Sequence, residues 1–379
     1  MAVPRPPLIQ IKAFGRIFCM QFPRMACSYG RGTSHWLMDT PLIDSPHRQS
    51  EAAWLKRLMP YRHSNGWRSA YELLVTVVPF AGLWIASGLL VANGIYWGLL
   101  LTVPAAGFLL RLFMIQHDCG HGAFFGRRSA DDWLGRVLGV LTLTPYDCWR
   151  KTHAIHHATS GNLDARGIGD VQTLTLAEYR ALGRWGRLGY WLYRHPAVMF
   201  GLGPLYLFVL QQRLPVGVMR GGPLPWVSTM GTNLAIALIV LGLIWVMGVI
   251  PFLLVEAPIV MIAGTAGVWL FYVQHQFEHT HWSAKPDWQF ANAALNGSSF
   301  YDLPGPLHWL TANIGIHHVH HLSSRVPYYR LPQVLRDFPE LTAIGRISIL
   351  ESFRGVRLVL WDEAQKRLIS FREARRLAA

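Results

Sequence analysis

Charge is scarce in this chain: 15% of its 379 residues are Asp, Glu, Lys or Arg, where a soluble domain carries roughly 25%. Cysteine is scarcer still. The four present, Cys19, Cys27, Cys119 and Cys148, have no paired spacing, which excludes a disulfide framework and a zinc ribbon and suits a reducing compartment. Acidic residues are missing altogether from positions 1–37. There is no G-x-G-x-x-G run for a dinucleotide and no four-cysteine spacing for an iron–sulfur cluster. What fills the space is apolar: 51% of the residues are hydrophobic and the mean hydropathy is +0.23. These departures point to a membrane protein.

Two uncharged runs carry the excess. Leu73 to Leu110 is thirty-eight residues without Asp, Glu, Lys, Arg or His, and Gly221 to Gln274 is broken only by Glu256. A bilayer is crossed by about 20 apolar residues rising 1.5 Å each, so each run is two spans joined by a tight turn. Turn residues mark the joins, Ala92-Asn93-Gly94 in the first run and Gly248 to Pro251 in the second. The spacing predicts four spans, at about 72–91, 95–114, 229–249 and 253–273. A shorter apolar stretch, Pro196 to Gln212, contains Gly201, Gly203 and Pro204 and reads as interfacial or re-entrant.

The formal net charge of +14 raises nucleic acid as a partner, but the distribution of the charge sets that aside. Twelve Lys and Arg residues lie between His121 and Arg220, and the C-terminal end is Arg-rich, while the two hairpin turns carry almost no charge. Positive residues stay on the cytoplasmic side, so both termini and the large loop are expected in the cytosol, with basic flanks suited to anionic headgroups. Residues 1–37 read as a transit-like basic leader, a disordered tail or an artefact of start-site choice, with ordinary mixed composition beginning at Met38. Residues 38–71 then form a cytosolic N-terminal segment, 72–340 the main domain with its extramembrane parts at 115–228 and 274–340, and 341–379 a basic tail.

Histidine is distributed least evenly of all. Of 17 histidines, 12 fall in four short stretches. His117 and His121 are an i, i+4 pair on one helical face directly after the second span. His153, His156 and His157 follow at i, i+3 and i+4, and His317, His320 and His321 repeat that H-x-x-H-H spacing. Between them, His275, His279 and His281 follow the fourth span. A single histidine near a membrane is ordinarily a hydrogen-bonded structural residue. That explanation has to be repeated for every cluster, whereas metal binding accounts for all of them at once. Four spans put every cluster on one side of the membrane; a fifth crossing at Pro196 to Gln212 would separate them.

Eight or nine imidazoles exceed what one ion coordinates, so two metals are implied. Imidazole suits zinc, copper, iron and nickel; zinc would take four ligands and offer no redox chemistry. Iron with open positions for oxygen fits a site set against unactivated acyl chains. A histidine-rich metal transporter or receptor-like zinc protein is the rival from another class, and it would place ligands or charges near the middle of the spans.

The stretch His117-Asp118-Cys119-Gly120-His121, the His153 to His157 box and Asn313-Ile314-Gly315-Ile316-His317-His318-Val319-His320-His321-Leu322 resemble the membrane fatty acid desaturase family, closest to its bacterial and plastid omega-6 (delta-12) acyl-lipid branch. The likeness covers roughly residues 50–340. It implies an all-α integral membrane fold, with four transmembrane helices in two hairpins under a cytosolic helical cap that holds a di-iron site, and an acyl tunnel between cap and bilayer. It also implies that His117, His121, His153, His156, His157, His317, His320 and His321 bind iron, with His275 as an additional ligand and His279 a weaker candidate. His281 reads as an outer or surface residue, and His318, off the ligand face, as structural. Asp118 and Asn313 are candidates to orient ligands or hold a water.

The activity so implied is oxygen-dependent desaturation of a membrane-lipid-linked monounsaturated acyl chain, giving a delta-12 (omega-6) cis double bond. Two electrons would come from a separate ferredoxin or cytochrome b5-type donor, because no fused haem motif is present: His195-Pro196 lacks the glycines such a motif needs. The nearest enzymatic alternative is a di-iron hydroxylase or ketolase on the same scaffold. The residues say nothing of oligomeric state.

Overall fold

The computed structural model of the protein describes residues 53–377, so the leader or start-site reading of 1–37 and part of the 38–71 segment lie outside the described residues. Four long helices carry the apolar runs. The first, α1 (Gly66–Ala92), is capped by Asn65, whose side chain accepts from the Arg68 N–H. A 3-10 turn at Tyr96–Leu101 leads into α2 (Thr102–His121). After the cap helices α3 (Arg128–Leu141), α4 (Tyr146–Thr159) and α5 (Arg184–Arg194) come α6 (Pro223–Met247) and α7 (Val249–His275). The four segments Gly66–Ala92, Tyr96–His121, Pro223–Met247 and Val249–His275 are long and apolar enough to cross a membrane, which fits a membrane protein.

The hairpins turn where turn residues predict, at Asn93-Gly94 and at Gly248, whose φ of 87° is open to glycine. The helix ends differ from the predicted span ends. α2 continues seven residues past the expected end at 114, α6 starts at 223 instead of 229, and α7 runs from 249 to 275 instead of 253 to 273. Hydropathy marks where apolar side chains stop, whereas the backbone ladder continues into polar surroundings. A 27-residue helix is about 40 Å long and overshoots a hydrocarbon layer of about 30 Å. The overshoot carries histidines.

The stretch 196–212 is not among the helices long and apolar enough to cross a membrane. Its residues 198–210 form wide helical turns that pack against α7, and Thr265 Oγ1 donates to the Phe200 carbonyl at 2.7 Å. One face of α6 meets α3 and α4, and only 6% of its most apolar window is buried. Above the spans lies the cap, which also holds α8 (His317–Leu322). Two small sheets knit it together: β1 (Leu174–Thr175) pairs in parallel with β4 (Leu360–Asp362), which pairs antiparallel with β5 (Arg367–Ile369), and β2 (Phe300–Tyr301) pairs in parallel with β3 (Arg346–Ile347). The C-terminal stretch marked off by its basic composition is thus packed into the cap, with Trp361 fully buried.

Spans and cap are joined by a buried polar network. Arg111 of α2 is paired with Glu72 of α1, donates to Thr76 Oγ1 at 3.1 Å and to the Trp309 carbonyl, and lies 5.3 Å from the Tyr328 ring.

Candidate metal centre

Helix ends deliver the site. α2 presents His117 and His121 on its last two turns and stops there because Gly122, at φ 66°, takes the left-handed conformation that ends a helix. α4 presents His153, His156 and His157, α7 ends on His275, and α8 presents His317, His320 and His321. Their ring nitrogens converge in two groups, each with all ligand atoms within 4.8 Å of one another: His117, His121, His153, His157 and His320, and beside it His156, His275, His317 and His321. In the five-membered group, Nε2 of His153 is 3.2 Å from that of His121 and 3.0 Å from that of His157, and His157 and His320 are 3.2 Å apart. In the other, Nε2 of His275 is 3.1 Å from His156 and 3.0 Å from His317. The groups touch where the rings of His157 and His321 stack with centroids 4.1 Å apart.

The chemistry of this donor set fits metal ions. Burial, reinforced by neighbouring rings, holds His153, His157, His317, His320 and His321 well below the ordinary histidine pKa of 6.5, so they are neutral imidazoles at physiological pH. Neutral imidazole is the metal-binding form. A neutral ring has one N–H and one bare lone pair, and such rings facing one another at close range leave lone pairs that no proton can bridge. The Nδ1 atoms of His117, His157 and His317 and the Nε2 of His321 are buried without a hydrogen-bond partner.

A few neighbours orient the rings. Asp170, on the glycine-rich loop Gly167-Ile168-Gly169, holds Nδ1 of His156 through its carboxylate. The indole of Trp149 stacks on His153 with centroids 4.6 Å apart and planes at 14°. His275 Nδ1 lies 3.3 Å from the Gly297 carbonyl. Of the two residues singled out beside the boxes, Asp118 has Oδ1 3.6 Å from His117 Nδ1, too long for a hydrogen bond, while its Oδ2 accepts from the Tyr328 N–H at 2.7 Å. Asn313 donates to the Tyr328 carbonyl at 3.3 Å and touches no clustered ring. Both therefore grip the Tyr328 peptide. His279 is exposed and outside both groups, as its following a helix end on a surface turn dictates, and His281 is half-buried and likewise outside. His318 is fully buried with Nε2 3.0 Å from the Leu341 carbonyl. Asp170 and Trp149 gave no signal in the sequence: an acid thirteen residues beyond a box and an aromatic four before it fit no ligand spacing.

A cavity of about 350 Å³ opens below the histidines. His117, His153 and His317 form its head, Phe113 and Phe271 flank it, and the 198–210 segment closes one side with Met199 and Phe208. Along α7 its lining runs from Gln274 to Val260, a depth of about 21 Å at 1.5 Å per residue. Its floor therefore lies among the apolar parts of the spans.

The sequence model of the family described as fatty acid desaturase matches residues 96–347. A fatty acid desaturase of Bacillus subtilis is 44% identical over 327 residues, covering 86% of this chain and 92% of that protein. The chain belongs to the fatty acid desaturase family. It is thus an oxidoreductase, and the desaturase is also similar to an sn-1 acyl-lipid omega-3 desaturase (ferredoxin) of Synechocystis, 31% identical over 58% of this chain and 61% of that one. A Delta(12) fatty acid dehydrogenase of Crepis alpina is 25% identical over 89% of this chain and 93% of its own length.

Proposed function

We propose that this desaturase introduces a cis double bond into a membrane-lipid-linked acyl chain, at two iron ions held by His117, His121, His153, His157 and His320 and by His156, His275, His317 and His321. The observation that carries the reading is the junction of the two histidine groups with the apolar cavity, in which a hydrocarbon chain would lie directly under the ring nitrogens. Bound iron would supply the oxidising power that an unactivated methylene demands. In the overall reaction two hydrogens leave adjacent carbons and O2 becomes two waters, with two further electrons and two protons supplied from outside.

The protein's own contribution is placement and exclusion. Phe113, Phe271 and Trp149 wall the head of the cavity and keep bulk water from it, and the fixed depth to Val260 sets which carbon pair lies at the head. Among identical methylenes, position is chosen by geometry alone. The delta-12 (omega-6) position is supported by the form of the first and last boxes and by the Crepis alpina relative named for Delta(12) chemistry. The electron donor is a separate ferredoxin or cytochrome b5-type protein, supported by the ferredoxin in the name of the Synechocystis relative and by the basic flanks of the cap. Cap and termini face the cytosol by the distribution of Lys and Arg.

Expression in a host of defined lipids, followed by double-bond mapping and metal analysis of the purified protein, tests this. A new cis bond on a lipid-linked chain with iron in the protein is expected, lost in His156→Ala. An incorporated oxygen atom in the product would overturn desaturation in favour of hydroxylation, and a bond three carbons from the methyl end would overturn the delta-12 assignment.

A further inference from the structure

The helix α5 has a face that the cap does not use. Its inner side, Gly186, Gly189, Tyr190 and Arg194, is buried, whereas Trp185, Leu188 and Trp191 form a stripe at i, i+3 and i+6 that is 66%, 43% and 43% exposed. Arg184 and Arg187 flank the stripe on exposed positions, Arg180 precedes it, and α5 contains no acidic residue. Three large apolar side chains left in water would be a liability. Two tryptophans beside arginines on one helix face are the composition of a surface lying at a membrane boundary, where an amphipathic ring sits among headgroups and a guanidinium meets phosphate.

The height of α5 agrees. Arg194 is fully buried and donates to Tyr272 Oη at 3.0 Å and to Gln276 Oε1 at 3.2 Å, which ties the end of α5 to the last turn of α7, where the fourth span leaves the apolar layer. From there the chain descends: the Phe200 carbonyl is held by Thr265, seven residues before Tyr272 on α7 and thus about 10 Å deeper. An added Cβ on Gly264 would meet Pro204 and Phe208 at 3.2 Å, so the descending segment lies hard against the span. α5 is consequently fixed at the level where the cap meets the bilayer, immediately above the segment that closes one side of the cavity.

We propose that α5 is a docking surface for the anionic phospholipid of the leaflet facing the cap, with Trp185, Leu188 and Trp191 seated in the interface and Arg184 and Arg187 on phosphates. Charge complementarity and the fixed height select lipid over a protein partner. The surface gathers anionic lipid beside the 198–210 wall of the cavity. This inference goes beyond the proposed activity and stands without it, because its test reads lipid association and not turnover.

The full chain, with Cys19 and Cys27 changed to Ser, carries a spin label at Leu188→Cys and, separately, at Gln365→Cys on the exposed β4–β5 turn as an aqueous control, in nanodiscs of mixed neutral and phosphatidylglycerol lipid. The label at 188 is expected to be shielded from a water-soluble relaxant, accessible to oxygen and immersed about 5–10 Å; the label at 365 is expected to be open to water. Spin-labelled phosphatidylglycerol is expected to be preferred over spin-labelled phosphatidylcholine, and the preference to fall about fivefold for each arginine removed in Arg184→Gln and Arg187→Gln. Arg184, which stacks on Trp185, carries the test alone if the loss of the Arg187 bond to the Leu182 carbonyl weakens the fold. A water-exposed label at 188, an unchanged lipid preference in both variants, or dipolar coupling between labels on two copies, which would assign the stripe to self-association, overturns the proposal.

Discussion

Asp170→Ala should empty one half of the metal centre and spare the other. The Asp170 carboxylate on Nδ1 of His156 makes that nitrogen the donor and leaves the Nε2 lone pair directed inward, 3.1 Å from His275 Nε2. Without the carboxylate, the ring is free to place its proton on Nε2 or to turn away. Removing such an outer partner costs about 10–100-fold in metal affinity, or about 1.4–2.7 kcal/mol. The loss should concentrate in the group of four, because His317 has no partner on Nδ1 and the four rings depend on His156 and on the Gly297 contact of His275 for their orientation. The five-membered group is braced separately by the Trp149 stack on His153. Purified protein is titrated with a competing chelator while metal per chain is followed by mass spectrometry. The parent should release its two ions together at high chelator. Asp170→Ala should release one ion at 10–100-fold lower chelator, and Asp170→Asn, whose amide oxygen still accepts from Nδ1, should fall between. Release of both ions at the parental chelator concentration in the alanine variant would refute the orienting role.

Gly267 lines the cavity, and a Cβ there would meet only Leu110, at 3.6 Å, so Gly267→Val should fold while displacing acyl carbons. At about 0.8 kcal/mol per methylene, three lost carbons shift the kcat/KM ratio toward shorter chains by roughly 50-fold; unchanged chain-length preference in lipid analysis would show that the chain does not pass Gly267. Arg111→Met strands Glu72, which is 1% exposed, in the membrane-side core, and with Arg68 still 2.6 Å from the carboxylate the loss should fall near the lower end of the 3–5 kcal/mol range, about 3 kcal/mol. A melting temperature in detergent equal to that of the parent would remove this pair from the fold's supports. Burial pushes His318 down to about 4; the unfolded chain takes up its proton below about 6.5 and the folded chain does not, so stability is lost as pH falls from about 6.5 toward 4, by up to about 1.4 kcal/mol per unit. His318→Gln, still able to donate to the Leu341 carbonyl, should melt with a shallower acid slope than the parent, and equal slopes would exclude His318 as a contributor.

The spans were legible because a bilayer imposes both a length and a composition, and Gly248 and Asn93-Gly94 announce their turns. Helix ends were less so. Ile115 to His121 and Gln274-His275 continue helices past the predicted span ends at 114 and 273, and only the backbone ladder, closed at Gly122 in α2 and at Gln276 in α7, says where they finish. Asp170 was invisible for a different reason: its role depends on a loop folding back onto α4, and loop geometry leaves no periodic trace. His279 was misleading because proximity along the chain to His275 reads like a ligand run, yet the helix ends at His275 and the following turn faces solvent.

The division of nine histidines into five and four follows from helix geometry. At about 100° per residue, positions i and i+4 differ by about 40° while i+3 and i+4 differ by a full step, so an H-x-x-H-H box presents a pair in one direction and a single ring in another. On α4 the pair is His153 and His157 and the single ring His156; on α8 the pair is His317 and His321 and the single ring His320. In the structure each pair enters one group and its single ring the other, so α4 and α8 each serve both groups in opposite senses. The pair His117 and His121 completes the five, and His275, at the end of α7, completes the four. Two H-x-x-H-H boxes facing each other therefore build two adjacent centres, and the i, i+4 box on α2 makes them unequal. Removing the single ring of α4 in His156→Ala therefore takes a ligand from the four-membered group alone, and metal per chain should fall from two to one as that group loses its ion while the His153 and His157 pair keeps its own.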